Sequence, residues 1–363
     1  MKTFHCTNCQ NLVFFENNLC LVCGHVLAYL PDRSDMAALL QRTDGVWQVR
    51  FGTVNDGEYR LCGNYIDYDI CNWAVPASSA AKLCQSCQLT TVIPNLDQAG
   101  STQAWYRLES AKRRLVYTLL ALRLPVTPKS ESNTTGLAFE FLKDSTKPNG
   151  DRNRVFTGHD DGLITINVAE ADDVQRERQR AAQNEPYRTL LGHFRHESGH
   201  YYWDRLVEHS DRLQAFRELF GDERASYADA MKRHYESGPR ANWQRDFVSA
   251  YATMHPWEDW AETWAHFLHI VDTLETATSA GLRLQPTRRD EPSLAATSNL
   301  EVRNVLDFDK LIDEWLPLTY VMNNLSRGLG LSDAYPFVLS AAAIRKLRFV
   351  SDTVMGSGRH GVP

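Results

Sequence analysis

All eight cysteines of this 363-residue chain lie between Cys6 and Cys87. A thiolate quartet that shares one ion forces tight turns on the backbone. A stretch this poor in apolar core then folds around its metal, because binding free energy becomes folding free energy. Cys6-x-x-Cys9 and Cys20-x-x-Cys23 are separated by ten residues, among them Leu12-Val13-Phe14-Phe15 and the turn-forming Glu16-Asn17-Asn18. This spacing outlines a zinc ribbon, two knuckles on a hairpin with four thiolates around one Zn²⁺. The remaining Cys62, Cys71, Cys84 and Cys87 contain one further C-x-x-C pair and most simply make a second Cys₄ site. Between the sets, Val46 to Phe51 alternates apolar with polar residues and Asn55-Asp56-Gly57 reads as a turn, which predicts a hairpin carrying Cys62. His5 and His25 stand beside cysteines, but a complete Cys₄ shell needs neither. No βαβ pattern surrounds the C-x-x-C pairs, which disfavours a redox dithiol.

The run Leu19 to Leu30 has the length of a signal-peptide core, yet Cys20, Cys23, Gly24 and His25 interrupt it and Lys2 is the one basic residue before it. No run approaches the roughly 18 apolar residues of a membrane span. With metal-binding rather than paired thiols, this predicts a cytoplasmic protein. Composition is that of a soluble globular chain, 43% apolar and 23% charged. A net charge of −6 with no Lys/Arg-rich run argues against nucleic acid as a partner. The length predicts two or three domains.

The second constraint is His196-Glu197-Ser198-Gly199-His200. Residues four apart share a helix face, so both imidazoles can reach one tetrahedral Zn²⁺. Glu197, next to the first ligand, can take a proton from a zinc-bound water whose pKa the metal lowers to about 7. Tyr187, Leu190, Leu191, Phe194 and Tyr201 recur at helical spacing behind Pro186, so the motif sits on a buried helix. Upstream, Leu163 to Val168 is β-branched and leads through acidic residues into a further helix. A catalytic zinc needs a third protein ligand and one open position. In H-E-x-x-H-x-x-G-x-x-H the last His would supply it, but Trp203 and Leu206 stand at the places of that Gly and His. The best candidates are Glu258 and Glu262, one turn apart on a helix that Pro256 starts. One can bind zinc while the other holds the free ring nitrogen of a ligand His.

His196-Glu197-x-x-His200 followed by Tyr251 and Glu258-x-x-Ala261-Glu262 resembles the gluzincin metallopeptidases, in particular bacterial zinc-binding metallopeptidases with an N-terminal zinc-ribbon domain. The resemblance covers most of the chain after about residue 130. It implies Glu258 as the third ligand, Glu262 as the residue behind a ligand His, and Tyr251 as the oxyanion donor.

Elsewhere, Ser101 caps a helix whose apolar face runs to Leu124, and Pro125 to Asn133 reads as a loop. Gly136 to Leu142 is a strand, residues 147–151 a turn, and His159 part of a polar turn. Ser210 to His234 reads as one charged helix ended by Gly238-Pro239. Trp257, Trp260, Ala261, Trp264, Leu268 and Val271 form a core stripe, with His266 and His269 as packed or surface residues. Residues 281–300 read as a long loop, Asp307 to Met322 and Tyr335 to Val350 as closing helices, and 356–363 as a frayed tail.

The expectation is an α+β chain: a small β-rich double zinc-ribbon, rubredoxin-like module over residues 1–95, a linker helix and loop over 96–130, and a mainly helical zincin-like metallopeptidase domain over 131–363. It would carry one catalytic and two structural Zn²⁺ and hydrolyse peptide bonds, with a peptide or protein as substrate and the ribbons offering a surface to a protein partner. A substrate strand would pair with the edge formed by Leu163, Thr165 and Asn167. The rivals are a non-catalytic ribbon scaffold with an inactive zincin domain, and a zinc amidase acting on a non-protein substrate.

Overall fold

The computed structural model describes the chain apart from residues 51–56, 147–151, 184–187, 289, 291, 301, 303–306 and 358–363. The turns expected at Asn55-Asp56 and at 147–151, Pro186 with Tyr187, and most of the expected tail lie outside the described residues. The chain divides into two compact units. One comprises Lys2–Tyr117 and Val126–Arg176, the other Met1, Thr118–Pro125 and Glu177–Pro363.

The first of these is rich in β-structure. Phe4–His5 pairs antiparallel with Leu12–Val13 to make the hairpin of the first ribbon. A five-stranded antiparallel meander follows, in the order Val26–Leu30, Asp35–Gln41, Trp47–Val49, Glu58–Leu61 and Ala74–Pro76. The hairpin expected before Cys62 is present, since Trp47 pairs with Tyr59 and Cys62 follows the second strand directly. Strand period two sorts the side chains by face. Ala28, Leu30, Ala37, Leu39, Tyr59 and Ala74 form one cluster. Tyr29, between Ala28 and Leu30, instead meets Trp73 and Phe15 at ring-centroid distances of 4.7 and 5.0 Å. The apolar run Leu19 to Leu30 is thus a knuckle followed by a buried strand.

A second sheet in this unit has the order Gly158–Asp160, Leu163–Asn167, Ala138–Leu142, Thr90–Val92. The three strands from Leu163–Asn167 to Thr90–Val92 run parallel, and Gly158–Asp160 is antiparallel. One expectation is corrected here. Leu163, Thr165 and Asn167 do not line a sheet edge, because Gly158–Asp160 occupies the flank left open for a substrate. The Asn167 side chain is also engaged, donating to Asp144 Oδ1 at 3.0 Å and to the Val155 carbonyl at 2.8 Å. Thr90–Val92 pairs in parallel with Ala138–Leu142. Along helix Ser101–Ala121, Trp105, Leu108, Leu115, Val116 and Leu119 are buried, in keeping with the apolar face read for it. His159 closes a turn, its Nε2 accepting from the Gly162 amide at 2.9 Å.

The other unit is helical: Leu190–Trp203, Leu213–Phe220, Tyr227–Ser237, Pro256–Ser279, Phe308–Gly328 and Ala341–Ser357. The charged stretch read as one helix is two, because Gly221 adopts a φ of 106° that only glycine holds without strain. The last helix begins at Ala341 rather than Tyr335, whose ring is instead buried against His266. Residues 281–300 contain a short hairpin, Arg283–Leu284 with Ala296–Thr297. Among the described residues, no helix is long and apolar enough to cross a membrane.

Candidate metal centres

Three groups of potential ligands converge among the described residues: Cys6, Cys9, Cys20 and Cys23; Cys62, Cys71, Cys84 and Cys87; and His196, His200 and Glu258. In the first quartet the Cys6 and Cys23 sulfurs are 3.6 Å apart, as are those of Cys9 and Cys20. In the second, Cys71 and Cys84 are separated by 3.7 Å. A disulfide would bring sulfurs to about 2.05 Å. Four thiolates around one Zn²⁺ at about 2.3 Å stand about 3.8 Å apart along a tetrahedral edge. The observed spacing fits an ion and not a bond. The quartets differ in access: all four cysteines of the second are buried, whereas Cys9 and Cys23 of the first are half-exposed. In the second, the buried Arg113 donates to the Ile70 carbonyl at 2.6 Å, beside Cys71. Burial works against the charge of Arg113, but the nearby thiolates, Cys71 foremost, and Glu109 raise its pKa overall. It provides a counter-charge where four sulfurs would concentrate negative charge.

The third group is built by two helices. Leu190–Trp203 starts where Thr189 Oγ1 accepts from the Gly192 amide at 3.0 Å, a standard N-cap. One π-helical turn, Asp204–Glu208, continues it. The helix Pro256–Ser279 begins at the expected proline, capped by His255. His255 Nδ1 accepts from the Trp257 amide at 3.2 Å while its Nε2 donates to the Ala225 carbonyl at 3.0 Å. The two helices lie unusually close because Gly199 faces the second: a Cβ there would meet Ala261 Cα at 2.9 Å. Trp260 Nε1 donates to the Gly199 carbonyl at 2.8 Å and Trp264 Nε1 to Ser198 Oγ at 3.1 Å.

This contact brings the carboxylates to the imidazoles. Glu262 Oε1 lies 2.7 Å from His196 Nδ1, and Glu258 Oε2 lies 2.9 Å from His196 Nε2. His200 Nε2 is 3.6 Å from Glu258 Oε1. Carboxylates only accept, and each ring nitrogen of His196 faces one, so neither neutral tautomer satisfies both contacts. Two acceptors at that distance require a cation or a second proton between them. Burial disfavours charge on His196, yet hydrogen bonding to Glu258 and Glu262 outweighs it and holds the imidazole well above its ordinary pKa. Burial likewise works against the charge of Glu258, but His200 and His196 keep it well below the usual carboxylate range. Two imidazoles and one carboxylate, with a carboxylate behind one imidazole, could hold a metal ion such as zinc.

Glu197, next to His196, is buried. Tyr251 opens a short turn, Tyr251–Thr253, and its ring lies 5.9 Å from that of His196. Burial first, then the charge of Glu258, with smaller contributions that include Glu197, keep its phenol well above its usual pKa, so it remains a donor. Three further groups were not marked by the sequence. Tyr227 donates to Glu258 Oε1 at 2.8 Å. Ser249 Oγ donates to Glu262 Oε2 at 2.5 Å and accepts from the Ala252 amide at 3.1 Å, linking the Tyr251 turn to the second carboxylate. His234 stacks edge-on to Tyr251 at 5.8 Å. Tyr227 and Ser249 lie 31 and 13 residues from their partners, and no local spacing connects them.

A family profile described as "putative zinc-binding metallo-peptidase" matches residues 101–353. The chain belongs to that family. A zinc-ribbon domain profile matches residues 3–98, over the two cysteine quartets. Among similar proteins are uncharacterized proteins of Mycobacterium bovis and of two Mycobacterium tuberculosis strains. Each is 43% identical over 355 residues, spanning 98% of this chain and 95% of the relative. No solved structure matches the chain. The family description suggests zinc and a peptidase-like domain over residues 101–353 and assigns no role to any individual residue.

Proposed function

We propose that this protein is a zinc-dependent metallopeptidase of the gluzincin type, with His196, His200 and Glu258 as ligands of one catalytic zinc and the two Cys₄ quartets as structural zinc sites. The observation that carries the reading is the convergence of two imidazoles and Glu258, with Glu262 fixing the His196 tautomer so that Nε2 points inward. Bound there, zinc polarises a carbonyl and lowers the pKa of a coordinated water to about 7. Glu197 takes the proton of the attacking water and returns it to the leaving amine. Tyr251, protonated, donates to the oxyanion of the tetrahedral substrate. Glu262, braced by Ser249, keeps His196 oriented throughout. None of the eight cysteines is in a disulfide, which supports a reducing, cytoplasmic setting. The ribbons offer a second surface, to a protein partner.

The test compares Glu197→Gln with His196→Ala. The Gln variant should keep three zincs per chain and lose about 10²–10⁴-fold in turnover, the contribution of a general base. His196→Ala should lose one zinc and keep two. A Gln variant as active as the wild type on every peptide that the wild type cleaves would overturn the assignment. Two zincs in the wild type, with none lost from His196→Ala, would favour a ribbon scaffold instead.

A further inference from the structure

Glu258 has two oxygens, and in this protein they are held by different groups. Oε2 faces His196 Nε2 at 2.9 Å, while Oε1 accepts from the Tyr227 hydroxyl at 2.8 Å and lies 3.6 Å from His200 Nε2. Tyr227 is the first residue of helix Tyr227–Ser237, which Ser226 caps by accepting from the Asp229 amide at 3.3 Å. Its ring meets those of His255 and Trp257 at centroid distances of 5.2 and 6.3 Å. His255 in turn caps the helix that carries Glu258 and donates to Ala225, two residues before Tyr227. One histidine therefore fixes both the backbone of the ligand helix and the chain that delivers the hydroxyl, so the phenol and the carboxylate share a frame.

A carboxylate can ligate through one oxygen or through both. With two imidazoles already committed, one oxygen completes the three protein ligands of a catalytic zinc and leaves a fourth position for the reaction, whereas two oxygens would fill it. We propose that Tyr227 is a positioning residue that, by occupying Oε1, restricts Glu258 to ligation through Oε2 and keeps that fourth position open. This rests on the reading of His196, His200 and Glu258 as a zinc site. It assigns a role to a residue whose place in the sequence does not announce it. Removing a partner of this kind from a metal ligand typically lowers affinity or activity about 10–100-fold.

The variant is Tyr227→Phe, which keeps the ring against His255 and Trp257 and deletes only the hydroxyl. In the full-length protein, with zinc left in both Cys₄ quartets, the His/Glu site is loaded with Co²⁺ and its visible absorption recorded, with the thermal midpoint as a check on folding. The expected result is a loss of band intensity, as the second oxygen of Glu258 joins the ion and its coordination number rises, together with a turnover lowered about 10–100-fold. A cobalt spectrum identical to that of the wild type would overturn the proposal, whatever happened to activity, and would leave Tyr227 a packing residue. Glu258→Gln separates this from failure of the site itself. If that variant still bound Co²⁺ in the His/Glu site as tightly as the wild type, the ligand assignment would fall, and the proposal with it.

Discussion

Gly199 shows how much of the centre depends on one missing methyl group. A side chain at this position of the motif helix would meet Ala261 Cα at 2.9 Å and Trp264 Cβ at 3.2 Å, both on the helix that brings Glu258 and Glu262. Gly199→Ala must therefore push the helices apart, although alanine is the better helix former. Overpacking of this kind costs about 1–3 kcal/mol, and the imidazoles and carboxylates should separate with it. The expected outcome is a lower urea midpoint together with a weaker hold on the zinc in the His/Glu site, read by chelator competition. A variant that lost stability yet kept wild-type zinc affinity would show that the ligands do not depend on this approach. At this scale the sequence was informative where chemistry imposes a spacing. His196 and His200, or Glu258 and Glu262, must be one helical turn apart, and C-x-x-C must form a knuckle. Tyr227 and Ser249 reach the same carboxylates through the tertiary fold, and no spacing rule applies to them.

Among the elements, the ligand helix is held from behind by the last one. Lys346, on Ala341–Ser357, donates to Asp259 Oδ2 at 2.5 Å and to the Asp246 carbonyl at 2.8 Å, with its ammonium 4.2 Å from the centre of the Phe247 ring. Burial pushes the carboxyl of Asp259 up to about 7 even though Lys346 pulls it down. Removing the lysine leaves that carboxylate buried without a partner, so Lys346→Met should cost about 3–5 kcal/mol, while the double change with Asp259→Leu should recover much of the loss. Urea unfolding of the two variants checks this, and equal loss in both would deny the coupling. Element types were readable where a proline, a cap or a strong period marked them, as at Pro256 and along Leu163 to Asn167. The break at Gly221 and the late start at Ala341 were not: charged residues continue past Gly221, apolar residues run from Tyr335 into the last helix, and backbone geometry sets both ends. The order of strands in the second sheet was also out of reach: the pattern of Leu163 to Asn167 marks a strand, but not which neighbours pair with it.

Over the whole molecule, acid should unfold the helical unit through histidines that play no part in metal binding. His266 lies in the core, its Nδ1 2.6 Å from the Tyr335 hydroxyl, and burial lowers its pKa from an ordinary 6.5 to about 4. His269, one turn further on, is depressed in the same sense by burial. Between pH 6.5 and 4 the unfolded chain binds a proton that the folded chain refuses, so stability is complete above about 6.5 and is lost as pH falls toward 4. At full extent His266 alone accounts for about 3 kcal/mol. His266→Gln should flatten the dependence of the urea midpoint on pH in this window relative to the wild type, and an unchanged slope would locate the acid sensitivity elsewhere. Mild chelation at neutral pH should take the zinc of the His/Glu site before that of either quartet, since three protein ligands and an open position hold less firmly than four thiolates.

The unequal burial of the two cysteine quartets should show in how fast each exchanges its metal. Cys62, Cys71, Cys84 and Cys87 are sealed inside the folded chain, so an ion can enter or leave them only when that region opens. Cys9 and Cys23 stay within reach of solvent. If both quartets hold zinc, as proposed, the ion in the second should exchange more slowly than that in the first, because its release requires that opening. Protein synthesised on one zinc isotope and moved to another should replace the label in the first quartet and retain it in the second.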